Sequence, residues 1–419
     1  MPEKEKEREA GWRVPVSSWR CSLSDYVPFV GEEVIAEIRE LGASLKGRRI
    51  QHINSTAVGG GVAEILKSLV PLMREVGLEA EWWVMEADPA FFGVTKRFHN
   101  IFHGVPLPVT EEMLAIYRCE TRKNVGILDP RADWVVLHDQ QPLGIAEARK
   151  QHPGRWIWYC HVDPVQVGKA LWRFLGDYAA QCDAAIYHLP EYRKRIAGQE
   201  YCIPPAIDPV SEKNREVTEE EKREVLERLG IEPDLPMVLQ VSRFDRLKNH
   251  VGVVEAFYGV YRRVPCQLVL AGGGADDDPE GQQVLEEVKA AAGGHPHIHV
   301  LFLPPTSDLE INVLQRTAAV VVQNSIREGF GLTVTEALWK AKPVVASPAG
   351  GLKRQVLDHQ TGFLAYSSEE LADHIVYFLT HPEWAKEMGM RGREYVRGNF
   401  LLPVYLRSWL RLLRSLLFY

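Results

Sequence analysis

The chain has 419 residues, 46% of them hydrophobic and 25% charged, the balance of a globular protein long enough for two or three domains. A net charge of −7 argues against nucleic acid as a partner, because binding to a phosphate backbone needs a basic surface. Six scattered cysteines form no C-x-x-C pair and suggest neither a zinc site nor a disulfide framework; the mixed-charge start is no signal peptide, and no apolar stretch approaches the roughly 18 residues that span a bilayer. A reducing, cytoplasmic setting without a membrane partner is expected.

Residues 49–53, 134–137, 155–159 and 184–187 read as buried strands, with a crossover helix over 62–76. The theme repeats over 236–241, 267–271, 298–302, 318–323 and 343–346, with a helix over 334–341 that stops before Pro343. This alternation predicts an α/β protein with two parallel sheets of similar size. Between them, the proline-rich stretch 203–209 and the charged run 211–228 read as a linker. From Trp384 to Tyr419 apolar residues recur at helical spacing, interrupted at Pro403.

Gly59-Gly60-Gly61 lies between the first strand and the first helix, where free backbone N–H groups and the helix dipole suit an anion; a tight structural turn is an equal alternative, and the absence of G-x-G-x-x-G disfavours NAD. Asp139-Gln140-Gln141 and Cys160-His161-Val162-Asp163 fall at carboxyl ends of strands, where open α/β sheets bind ligands. His161 and Asp163 can bond sugar hydroxyls there; the alternative is a satisfied buried histidine and a cap before Pro164.

In the second half, Ser242-Arg243-Phe244-Asp245-Arg246-Leu247-Lys248 places two cations, Arg243 and Lys248, beyond a buried strand, an arrangement that fits a diphosphate or a pair of exposed loop residues. The turn Gly329-Phe330-Gly331-Leu332-Thr333 crosses from strand to helix and makes a second anion site. Glu328 lies before it, and Glu336 lies about one helical turn inside, where a carboxylate can accept from a diol. The plainer alternative is a solvated loop acid and an acid favoured by the helix dipole. Residues 308–316 read as an amphipathic surface helix.

The Glu328 to Glu336 spacing, with Gly-Phe-Gly between, resembles the E-x7-E motif of retaining GT-B glycosyltransferases of the family 4 type, and Ser242-Arg-Phe-Asp245 with Lys248 resembles their basic motif. With His161-Val-Asp163, His188-Leu-Pro-Glu-Tyr192 and Pro204-Pro-Ala-Ile-Asp208 added, the chain from about Trp19 onward is most similar to the glycosyltransferring trehalose synthases. Residues 164–169 depart from the asparagine-containing segment of that family.

The resemblance implies a GT-B fold: two Rossmann-like domains with parallel sheets facing a central cleft. Residues 1–205 would form the acceptor domain, joined by a C-terminal helix over 385–419, and residues 206–384 the nucleotide-sugar domain. It further implies retaining, reversible transfer of glucose from NDP-glucose to glucose, giving trehalose. Glu328, Arg243, Lys248 and His161 would be catalytic; Gly60, Gly61, Gly329, Phe330, Gly331, Leu332 and Thr333 would bind the donor phosphates, Glu336 the ribose, and Asp163, Asp139 and Gln140 the acceptor. The leaving phosphate would take the acceptor's proton. Cations supplied by the protein would make a cofactor unnecessary, leaving Mg at most as a counter-ion of the nucleotide, and the tail leaves a homodimer open. A trehalose phosphorylase using glucose 1-phosphate and phosphate, and a silent sugar-nucleotide sensor, are the alternatives.

Overall fold

The computed structural model describes residues 13–15, 22–58, 60–129, 131–196, 198–273 and 281–418. Gly59 and the charged N-terminal run therefore lie outside the described residues. The chain divides into two compact units, one containing Pro205 and the residues before it together with Leu402 onward, the other Ala206–Leu401. Among the described residues each unit holds one six-stranded sheet.

In the first unit the strands are β1 (Arg49–Asn54), β2 (Glu79–Val84), β3 (Trp134–His138), β4 (Arg155–Cys160), β5 (Ala184–Tyr187) and β6 (Gln199–Cys202), ordered β2-β1-β3-β4-β5-β6 with every pairing parallel. In the second they are β7 (Met237–Val241), β8 (Gln267–Gly272), β9 (Ile298–Phe302), β10 (Val320–Gln323), β11 (Val344–Ala346) and β12 (Phe363–Leu364), ordered β12-β11-β10-β7-β8-β9, again parallel. β3, β5, β7 and β10 are buried along their whole length, as parallel strands covered on both faces must be. The two units and their parallel sheets are those of the GT-B fold expected from the sequence.

The first crossover helix runs Gly61–Glu75, with Gly60 as its N-cap at φ +80°. The stretch 211–228 is not a loose linker. Thr218 and Glu221 form a capping box that starts the helix Glu219–Leu229, and Asn312 Nδ2 donates to the carbonyls of Glu212 and Arg215, tying the run to the second unit.

The tail divides later than position 385. The helix Pro382–Asn399 stays in the second unit and packs on the helix Leu332–Trp339. Glycines permit this: a Cβ on Gly389 would stand 2.0 Å from the Ala341 carbonyl oxygen, and one on Gly392 would stand 2.7 Å from Leu338 Cδ2. Only the next helix, Leu402–Ser415, joins the first unit. There it packs on the helices Glu32–Ala43 and Gly61–Glu75 and pairs Arg407 with Glu37 at 3.4 Å. Among the described residues no helix is long and apolar enough to cross a membrane.

Candidate active site

The second sheet reverses its winding between β7 and β10. At such a switch point the loops at the carboxyl ends part and leave room for a ligand. Here they are residues 242–249 and 324–331, which carry Arg243, Lys248, Glu328 and the turn Gly329-Phe330-Gly331, with Leu332, Thr333 and Glu336 in the helix that follows. They meet at one ion pair: Lys248 Nζ lies 2.6 Å from Glu328 Oε2. Ser325 Oγ donates to the same oxygen at 3.0 Å and receives from Gln323 Nε2 at 2.9 Å. The Ile326 N–H to Leu247 carbonyl bond, at 2.7 Å, ties the loops together, and Gln240 Nε2 holds the Lys248 carbonyl at 3.0 Å. Among the described residues no hydrogen bond or ion pair of the Arg243 side chain is found.

Gly331 sits at φ +90° as the N-cap of the helix Leu332–Trp339, and its missing side chain matters twice. The left-handed backbone favours glycine, and a Cβ would come within 2.8 Å of Leu352 Cδ2 and 3.2 Å of Glu328 Cγ. The first amides of this helix have no intrahelical acceptor and, with the dipole, form a positive terminus beside Glu328 and Lys248. Phe330 is a core side chain, 3% exposed and packed on Phe400, so only its backbone could serve a ligand. Thr333 Oγ1 bonds Gln323 Oε1 at 3.3 Å.

Glu336 is buried one turn into the helix, within a polar group that sequence reasoning missed. Gln315 Nε2 donates to its Oε2 at 3.0 Å, and Lys213 Nζ stands 3.9 Å from its Oε1. Gln315 Oε1 in turn accepts from Lys340 Nζ at 2.6 Å. Gln315 belongs to the helix Asp308–Thr317, whose apolar spacing is ordinary; the only sign of a role was a long amide on its buried face.

In the first unit the winding reverses between β1 and β3, and the predicted residues follow β1, β3 and β4. Gly60 is exposed, and a Cβ there would meet nothing within 4 Å, so its φ of +80° is what calls for glycine. Asp139, at φ +65°, accepts the His161 N–H at 2.7 Å and organises the turn that carries His161. Loss of water around its carboxyl pushes its pKa up to about 7, against the pull of the His161 and Val162 amides. Asp163 is buried and accepts the Val165 N–H at 2.9 Å, the turn that Pro164 suggested.

Gln140 is 1% exposed, and neither polar atom of its amide has a hydrogen-bond partner among the described residues. Such a group calls for a polar ligand. His161 is different. Its ring stacks on Tyr159 at 3.8 Å, and both nitrogens are engaged, Nε2 with His138 Nδ1 at 2.9 Å and Nδ1 with His188 Nε2 at 3.2 Å. A sugar hydroxyl could reach a ring nitrogen only by opening one of these links. Burial holds the ring well below its ordinary pKa, with His138 and His188 adding to the effect. Among the described residues no three His, Cys, Asp or Glu side chains come together as a metal-ligand set.

A family model described as the N-terminal domain of trehalose synthase matches residues 52–194, and one described as glycosyl transferases group 1 matches residues 221–395. A trehalose synthase of Pyrococcus horikoshii is 43% identical over 407 residues, covering 96% of this chain and 98% of that one. A trehalose phosphorylase of Pleurotus pulmonarius is 26% identical over 453 residues, covering 93% of this chain and 60% of that one. Among solved structures, an α,α-trehalose 6-phosphate synthase of Burkholderia multivorans shares the fold with a TM-score of 0.72 at 16% identity, over 88% of this chain and 99% of that one. Near-complete coverage at 43% identity, together with two six-stranded parallel α/β units, shows that the chain belongs to the trehalose synthase family of GT-B glycosyltransferases.

Proposed function

We propose that the protein is a retaining glucosyltransferase that forms trehalose reversibly from NDP-glucose and glucose. The observation that carries this reading is the 2.6 Å Lys248–Glu328 pair beside the positive start of the helix Leu332–Trp339, at the switch point of the second sheet. A carboxylate for sugar hydroxyls and a positive terminus for phosphate stand next to each other there. Glu336, one turn further in, takes the ribose.

Glu328 cancels much of the Lys248 charge, so Arg243 and the amides of residues 329–333 carry the uncompensated positive potential toward the leaving diphosphate. The bond from glucose C1 to the phosphate oxygen breaks, the anomeric oxygen of the acceptor forms its bond to C1 on the same face, and the departing phosphate takes the acceptor's proton. Glu328 orients the transferred glucose through its hydroxyls and makes no covalent intermediate. Asp163, Asp139 and Gln140 are assigned to the acceptor, with the buried Gln140 amide as the strongest of the three. Gly60 and Gly61 supply backbone to the donor. No cofactor is required in this reading, because the protein provides the positive charge at the leaving group.

The test is to incubate the protein with trehalose and either an NDP or inorganic phosphate and to identify the glucosyl product. NDP-glucose is expected. Glucose 1-phosphate would make the protein a phosphorylase, and NDP binding without turnover would make it a sensor.

A further inference from the structure

Four imidazoles lie end to end across the carboxyl edge of the first sheet: His52 on β1, His138 on β3, His161 just after β4 and His188 just after β5. His52 Nδ1 is 3.0 Å from His138 Nε2, His138 Nδ1 is 2.9 Å from His161 Nε2, and His161 Nδ1 is 3.2 Å from His188 Nε2. Each link joins Nδ1 of one ring to Nε2 of the next, so the sense never reverses. The strand register produces this spacing by setting His52 opposite Val136, His138 opposite Tyr159 and Cys160 opposite Tyr187.

A neutral imidazole has one N–H and one lone pair. Linked in this way, one ring's tautomer dictates the next. With a proton on Nδ1 of His52, His138, His161 and His188 must carry theirs on Nδ1 as well; with a proton on Nε2 of His188, all four carry it on Nε2. A mixed array would set two protons or two lone pairs against each other across a link. Burial keeps His52, His138 and His161 below their ordinary pKa, which favours the neutral forms that this coupling requires. The titratable groups packed against the array are Asp139, which accepts the His161 N–H, Tyr159, which stacks on His161, and Tyr405, which neighbours Tyr159 and Trp409.

The array has a closed end. His52 is fully buried in a T-shaped contact with Trp409, and its Nε2 has no hydrogen-bond partner among the described residues. A proton conduit needs an exit at both ends, so conduction is not its use.

We propose that His52, His138 and His188 are positioning residues for His161, the four rings acting as one tautomer-coupled unit that fixes the orientation and the single protonation form of the His161 ring at the sugar site. The kinetic part of this inference rests on the function proposed above; the coupling does not.

The test uses the intact chain labelled with 15N-histidine, in the wild type and in the variants His52→Leu and His52→Asn, where the asparagine amide stands in for Nδ1. In the wild type the four rings are expected to show one common tautomer, with His52, His138 and His161 showing no titration near the ordinary value of about 6.5. In His52→Leu the His161 resonances are expected to move to an averaged tautomer and kcat to fall roughly tenfold, the worth of one hydrogen bond, with NDP affinity unchanged. His52→Asn is expected to restore both. Unchanged His161 resonances in His52→Leu overturn the proposal, as do wild-type rings of opposite tautomers. The wild-type spectrum and His52→Asn decide the matter if His52→Leu does not fold. The spectra need no substrate, so a protein that failed to make trehalose would defeat the proposed function and leave this result standing.

Discussion

Lys248 and Glu328 lie 80 positions apart in the chain and 2.6 Å apart in the fold, with side-chain exposures of 17% and 9%. An ion pair so enclosed is costly to break from one side, because the remaining charge stays desolvated. Lys248→Ala is therefore expected to cost about 3 kcal/mol in denaturant unfolding, while the double variant Lys248→Met with Glu328→Gln recovers most of it. A loss below about 1 kcal/mol would show that the pair behaves as a surface contact.

Glu328→Gln leaves the Lys248 charge without its partner and so lowers stability, but it keeps the size of the side chain and its bond from Ser325, and activity is to be read on the folded fraction. Turnover is expected to fall about a hundredfold, the effect of losing one group that acts at the reacting centre. Activity equal to the wild type in folded protein would remove Glu328 from the chemistry.

Arg243 has no partner to lose among the described residues, so Arg243→Ala should leave the melting temperature where it is. Calorimetric affinity for NDP should fall by roughly tenfold to a hundredfold, the worth of a charge-assisted hydrogen bond. Unaltered affinity would count against the diphosphate assignment.

Gly331 and Gly60 should respond differently to alanine. Both have positive φ, but a Cβ at Gly331 meets Leu352 at 2.8 Å, whereas one at Gly60 meets open space. Gly60→Ala is expected to cost about 2 kcal/mol of backbone strain, since its ψ of 154° lies in a region open to little but glycine, and Gly331→Ala more, as contact with Leu352 and Glu328 adds to its strain, with loss of activity as Glu328 is displaced. Equal costs in parallel unfolding curves would refute this reading of the turn.

Burial depresses His52 from 6.5 to about 3 and His250 from 6.5 to about 4. Below pH 6.5 the unfolded chain binds protons at these positions that the folded chain refuses, so stability falls as pH falls. Each histidine should cost about 2 kcal/mol by pH 5. Asp139 works in the opposite sense: its pKa is raised to about 7, and its contribution is present at low pH and lost as pH rises toward 7. Unfolding at pH 5 and pH 7 should show a net acid loss, and Asp139→Asn should make it larger. Stability that is independent of pH in both the wild type and Asp139→Asn would contradict both signs.

The buried strands were legible because β-branched and aromatic runs have few other uses. β2, β6 and β12 were not, and each forms an edge of its sheet. β2 reads Glu-Ala-Glu-Trp-Trp-Val, with only three apolar residues in a row, β6 reads Gln-Glu-Tyr-Cys, and β12 has only two residues. Edge strands need no apolar run, so the pattern that betrays a central strand is missing. The glycine turn and its two glutamates could be read because they are contiguous. The distant partners of Glu336 could not: Lys213 and Gln315 acquire meaning only when separate segments are laid side by side. The placement of the His161 ring was hidden for the same reason, since the four rings of its array come from four different strands or strand ends.

The helix Leu402–Ser415, which closes over His52 through Trp409, bears on the order in which a ribosome can complete this protein. The second unit is one unbroken stretch and can form its core as soon as Leu401 has emerged. Most of the first unit precedes the second in the chain, yet it lacks a wall of its own core until the helix Leu402–Ser415 is made. The face of β1 that carries His52 must wait through the synthesis of the whole second unit. Chains interrupted before Leu402 should therefore hold a finished second unit beside an unfinished, protease-sensitive first one.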